Sequence, residues 1–246
     1  MKIQKAIMSV DDHPLYSDFW PLVSRVWKQR LGIEPVLIYF GDKKLDENYG
    51  QVINVKPVKD IPTHLQAQWA RFWYTSQEPD TTFIISDIDM FPISRRFFID
   101  NVANIDENKY AHLDAATRPL CVCYHVAKGR KFKEVLDLAD TFEESIHDMC
   151  NMKRNDIKDV HMGLARWGLD EAYTTKKIYE YHKKNEIILK PRDHRGLRID
   201  RSSWRYDVRL LIQKDHYIDS HSLRPYRGLF KDEIDKLVQI LAGRSK

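Results

Sequence analysis

The chain has 246 residues, 43% of them hydrophobic, with nine Gly and ten Pro, a composition that excludes a disordered or fibrous protein and suits one α/β unit with a continuous core. Forty Lys and Arg against thirty-six Asp and Glu leave a net charge of +4, too small an excess to mark a nucleic-acid binder. No stretch approaches about 18 consecutive apolar residues, and the opening MKIQKAIMSVDD has too short an apolar run for a secretory signal, so a soluble, cytoplasmic chain is expected.

Residues 3–10 read as an apolar opening strand, followed by turn and helix-start chemistry at Asp11, Asp12, His13 and Pro14. From Leu15 the residues Phe19, Leu22, Val23, Val26, Trp27 and Leu31 follow helical spacing; Pro21 either kinks this helix or starts its main part, and Gly32 ends it. Residues 36–40 and 52–55 are buried-strand candidates. Over 62–77 the period changes: Leu65, Trp69, Phe72 and Trp73 share a helical face, which places Gln68 and Arg71 away from its centre. Residues 81–86 form the next apolar strand. Alternating strands and helices predict a mostly parallel sheet flanked by helices, with a ligand site beyond the carboxyl ends of the strands. Both acid pairs, Asp11/Asp12 and Asp87/Asp89, fall there.

In the second half, strands are expected over 110–113 and 121–126 and one helix over about 131–149, with Phe132, Val135, Leu136, Ala139, Phe142, Ile146 and Met149 as its buried stripe. A helix near Asp170, strands near Ile187 and Leu210, and a helix over 231–241 complete the reading. No repeat or linker marks a boundary, so residues 1–246 are expected to form one domain, nucleotide-binding over about 1–100 and acceptor-binding over about 101–246. Cys121, Cys123 and Cys150 lack paired spacing, which argues against a disulfide framework or zinc site; they read as reduced packing residues, the first two in a strand.

The run Phe83-Ile84-Ile85-Ser86-Asp87-Ile88-Asp89 ends an apolar strand in two acids separated by one residue, so both reach one side of the strand end. A diphosphate about 4 Å from such a carboxylate is repelled by about 4 kcal/mol per charge pair at an effective dielectric near 20. Mn²⁺ or Mg²⁺ removes that penalty and suits oxygen ligands. The same Asp-x-Asp also permits a haloacid dehalogenase-type phosphatase with Asp87 as nucleophile and Asp89 as acid or base, although Phe91 stands where that family places Thr or Val.

With Ser9-Val10-Asp11-Asp12, the helix bearing Arg71, Ser86-Asp87-Ile88-Asp89, Trp167-Gly168-Leu169-Asp170-Glu171 and Asp219-Ser220-His221-Ser222-Leu223-Arg224-Pro225, the chain resembles the nucleotide-diphosphosugar transferases of the GT-A fold, including glycogenin-like enzymes and small viral or bacterial glycosyltransferases. The resemblance implies a nucleotide-sugar donor, favouring UDP, and a carbohydrate or other hydroxyl acceptor. It implies nucleoside contacts at Val10, Asp11 and Asp12, and places Ser86 and Arg71 at the donor site. Asp89 becomes the most direct metal ligand, Asp87 a ribose or metal contact, His221 a further metal ligand, and Arg224 a diphosphate contact. Asp170, with Glu171 beside it, corresponds to the general base of inverting members, and Trp167 to an acceptor contact; a helix N-cap is the alternative role for Asp170.

Six Arg stand at 192, 195, 198, 201, 205 and 209, interrupted by Asp193, Asp200 and Asp207. The alternation reads as a salt-bridged surface, or as a loop over donor phosphates in which Arg198 and Arg201 make the contacts. With Trp204 and Tyr206 the run also allows a nucleic-acid-binding module, a reading that leaves the two acid pairs without a role; no nucleic-acid partner is expected.

Overall fold

Central strands covered on both faces read as continuous apolar runs, and β1 (Lys5–Asp11) and β2 (Glu34–Phe40) bury five and six of their residues, respectively. The computed structural model describes residues 1–116, 119–152, 168–192, 197–212 and 216–243. Between the two strands a 3₁₀ turn at Ser17–Phe19 leads into α1 (Trp20–Val26). Pro21 lies in its first turn, where a missing N–H costs nothing, so it starts the helix rather than kinking it. A π-turn at Trp27–Leu31 ends at Gly32, whose φ of +71° is the left-handed stop that the glycine predicts. β3 (Gln51–Asn54), α2 (Thr63–Trp73) and β4 (Thr82–Ile85) follow. The apolar face of α2 is buried, and Trp69 Nε1 donates to Ser145 Oγ at 2.9 Å.

After β5 (Met90–Pro92), α3 (Asn101–Ala103) and β6 (Tyr110–His112), the chain reaches β7 (His125–Lys128). The strand expected from residue 121 begins only at His125. Its first carbonyl, that of Cys121, accepts from Nε2 of His112 and of His125 at 2.9 and 3.0 Å instead of serving a neighbouring strand. The single helix expected over 131–149 is two, α4 (Gly129–Leu136) and α5 (Phe142–Cys150), broken at Asp137 with φ +53°. Thr141 caps α5: its Oγ1 accepts from Glu144 N–H at 3.2 Å and donates to Glu144 Oε2 at 2.9 Å.

α6 (Leu169–His182) and β8 (Ile187–Leu189) stand where the sequence places them. β9 (Leu197–Asp200) is a strand the hydrophobic pattern does not announce. The strand expected near Leu210 is instead α7 (Val208–Ile212), because Asp207 makes a helix start: its Oδ1 accepts from Arg209 N–H at 2.7 Å and its carbonyl from Leu211 N–H at 3.0 Å. β10 (Tyr217–His221), equally unannounced, and α8 (Leu229–Ala242) complete the described chain.

The large sheet has the order β3-β2-β1-β4-β7-β6-β8, and a small sheet has the order β5-β10-β9. β3, β2, β1 and β4 are parallel, β7 is antiparallel to both neighbours, and β8 is parallel to β6. This is the mostly parallel, helix-flanked α/β sheet that the sequence predicts. The chain moves outward from β1 to β3 and returns on the other side of β1 as β4. At such a reversal the connections diverge and leave a crevice at the carboxyl ends of the two strands. Among the described residues no helix is long and apolar enough to cross a membrane.

Candidate active site

A cleft of about 550 Å³ opens at that reversal, a volume that suits a small-molecule ligand. Val10 and Asp11 enter it from the end of β1, Arg71 from α2, and Asp87 and Asp89 from the chain after β4. Asp170 and Glu171 enter from the first turn of α6, and Arg201, His221 and Arg224 from the segments after β9 and at the end of β10.

Three residues assigned to the donor site stand outside this lining. Asp12 accepts a hydrogen bond from the Tyr39 hydroxyl and pairs with Lys43 Nζ at 3.3 Å, whereas its neighbour Asp11 takes Thr63 Oγ1 at 2.9 Å at the cleft edge. Ser86 is fully buried, and its carbonyl accepts from Arg71 Nη1 at 3.2 Å. Arg198 turns its guanidinium to Asp219, donating from Nε and Nη2 at 2.8 Å each. Trp167, Asp193 and Arg195 lie outside the described residues.

Asp89 is buried in the site, with a side chain 5% exposed. Its Oδ2 faces Arg201 Nη1 at 3.3 Å, His221 Nε2 at 3.5 Å and Arg224 Nε at 3.5 Å. The arrangement follows from the small sheet: His221 lies opposite Met90, the residue after Asp89, and Ser222 N–H donates to the Asp89 carbonyl at 2.9 Å. Arg224 also donates to the Tyr16 hydroxyl, with its guanidinium 4.9 Å from the ring centroid.

Asp87 has both oxygens engaged. One pairs with Arg71 Nη1 and the other accepts from the Cys123 thiol at 3.2 Å. Burial works against its charge, yet Arg71 and the thiol hold it below the usual carboxylate range. Burial and the adjacent Asp87 push the Cys123 thiol well up, so it remains a neutral donor. This corrects the view of Cys123 as a strand packing residue. It also leaves Asp87 poorly placed as a phosphatase nucleophile, which needs a free carboxylate oxygen.

Arg71 is 5% exposed rather than at the helix margin, and its Nη2 also reaches Asp170 Oδ2 at 3.2 Å. Asp170 is not the helix N-cap, a position taken by Gly168; it sits in the first turn, 3% exposed. Burial raises the Asp170 pKa, and Arg71 offsets this only in part. Glu171 lines the cleft beside it, and burial together with the charges of Asp170 and Asp87 pushes its carboxyl up to about 7. A carboxyl poised near neutrality in a cleft is suited to moving a proton.

The sequence reading gives Tyr16, Cys123 and Gln68 no part in the site. Gln68 lines the cleft, and its buried Oε1 has no partner among the described residues; the helical face that set it aside from the core was its only signal. The arginine run pairs largely inward: Arg192 with Asp114 at 2.8 Å, Arg198 with Asp219 at 2.8 Å and Arg201 with Asp89 at 3.3 Å, while Arg209 meets Asp207 at 3.0 Å on the surface.

This architecture matches solved structures. The galactosyltransferase LgtC, crystallised in complex with donor and acceptor sugar analogs, aligns with 98% of the chain and 95% of its own at a TM-score of 0.50 and 11% identity. The chain has the GT-A fold. The glycosyltransferase GlyE of Streptococcus pneumoniae TIGR4, in its apo form, aligns with 99% of this GT-A chain at a TM-score of 0.52 and 8% identity. The match covers 63% of GlyE, less than two thirds of its length. No family model matches the sequence, and no curated protein does.

Proposed function

We propose that this protein is a metal-dependent glycosyltransferase that moves a sugar from a UDP-sugar to an acceptor hydroxyl. The observation that carries the reading is the meeting of Asp89 with His221, Arg201 and Arg224 at the β1/β4 crevice of a GT-A fold. Among the described residues no three His, Cys, Asp or Glu side chains form a metal site by themselves. Asp89 and His221, 3.5 Å apart, nevertheless offer an oxygen and a nitrogen ligand that would hold Mn²⁺ or Mg²⁺. Held there, such a cation would neutralise the diphosphate and stabilise it as a leaving group.

Val10 and Asp11 border the nucleoside, and Asp87, fixed by Arg71 and Cys123, faces the ribose. Arg201 and Arg224 bind diphosphate oxygens with the planar donor geometry of guanidinium groups. Glu171 replaces Asp170 as the general base, since Asp170 is committed to Arg71. The acceptor oxygen forms a bond to the anomeric carbon as the bond from that carbon to the diphosphate oxygen breaks. The electron pair leaves with UDP, the proton passes to Glu171, and the anomeric configuration inverts.

The test incubates the protein with a panel of UDP-sugars, Mn²⁺ and simple sugar acceptors, following UDP release and the product anomer by NMR. UDP release with an inverted product supports the reading; a retained product overturns the single displacement. Release of phosphate from a phosphomonoester, with no UDP-sugar turned over, supports the phosphatase reading instead.

A further inference from the structure

Behind the cations at Asp89 lies a second charged cluster that the proposed reaction does not use. Asp219 is fully buried on β10. It accepts from Arg198 at 2.8 Å through both Nε and Nη2, from the Tyr124 hydroxyl at 2.8 Å and from Arg192 Nη2 at 3.2 Å. Arg192 also donates from Nε and Nη2 to Asp114 Oδ2 at 3.1 and 2.8 Å. Burial opposes the charge of Asp219, but the two guanidinium groups and the phenol keep its pKa lowered. Removing such charges from water is costly and is offset only by well-aligned bonds.

These bonds join separate parts of the fold. Tyr124 immediately precedes β7, and Asp114 follows β6, both in the large sheet; Arg198 and Asp219 are register partners in the small sheet. β10 carries a bulge between Tyr217 and Asp219, a device that re-aims the side chains after it. Residues two apart on a strand share a face, so a constraint on Asp219 passes to His221, the next residue on that side.

We propose that Asp219 is a positioning residue whose ion cluster sets where His221 stands relative to Asp89. This rests on the reading of Asp89 and His221 as donor-site residues. Groups that orient metal ligands typically alter metal affinity by about 10- to 100-fold when removed.

The test is calorimetric titration of UDP, at one sub-saturating Mn²⁺ concentration, into the wild type, Asp219→Asn, Tyr124→Phe, His221→Ala and Asp219→Asn/His221→Ala, with circular dichroism to verify folding. Asp219→Asn is expected to weaken UDP binding by about 10-fold or more, and Tyr124→Phe, which loses one hydrogen bond, by about 3-fold. Because Asp219 acts through His221, its substitution in the His221→Ala background costs about 3-fold or less. Wild-type affinity in a folded Asp219→Asn protein, or an equal loss with and without His221, overturns the proposal. If Asp219→Asn does not fold, Tyr124→Phe decides: unchanged affinity overturns it. Absence of UDP binding by the wild type refutes the donor-site reading, and this inference with it.

Discussion

Asp87 and Asp89 follow β4, whose four residues are all buried, whereas Arg201 and His221 stand at the ends of β9 and β10, where Arg198 and Asp219 pair as ions across the two strands. Burying each Phe or Ile of β4 stabilises the fold by about 1.5–3 kcal/mol, without dependence on direction. An ion pair is directional, and losing one partner of a buried pair costs about 3–5 kcal/mol because the other charge is stranded. The two sides of the cleft therefore have different tolerances. The acid side withstands trimming of its apolar support, while the cation side depends on geometry that a single atom change disturbs.

Glu171→Gln separates chemistry from both frameworks and carries the largest expected effect. Turnover falls by about 10²- to 10⁴-fold, the usual contribution of a general base, while UDP affinity stays at the wild-type value. The base acts only when deprotonated, and its carboxyl is pushed up to about 7, so wild-type turnover rises with pH through about 7 and the variant loses this limb. A pH series of initial rates checks both statements; equal profiles for the two proteins remove Glu171 from that role.

Arg71→Met puts the ion-pair term on the acid side. Asp87 and Asp170 are left facing each other without their shared cation, and urea denaturation should show a loss of about 3–5 kcal/mol. A loss below about 1 kcal/mol, as for exposed pairs, shows that the pairing is not a buried one. Ile84→Val is the mildest change: trimming one methylene from β4 should lower stability by about 0.5–1.5 kcal/mol and leave UDP affinity unaltered. A fall in affinity as large as that of Asp219→Asn would erase the distinction between the two sides.

The same contrast explains what the sequence made legible. Continuous apolar runs disclose β1, β2 and β4, and with them the acids at their ends, because burial on both faces leaves only small polar residues, Ser9 and Thr82, to interrupt the pattern. β9 and β10 escape this logic, since Arg198, Asp219 and Ser220 are core or near-core residues in polar form. The choices between Asp11 and Asp12, and between Arg198 and Arg201, turn on which side chain reaches the cleft, and neighbouring residues of one type offer no such signal. The break between α4 and α5 was readable: Thr141-Phe142-Glu143-Glu144 is a capping box, and the continuing apolar period masked it.

Calorimetric titration of UDP into the wild type and Asp89→Ala, each with and without Mn²⁺, addresses the donor site directly. Wild-type binding is expected to require Mn²⁺ and to weaken by at least about 10-fold when the Asp89 carboxylate is removed. UDP binding that is indifferent to Mn²⁺, or that persists at full strength in Asp89→Ala, would contradict it.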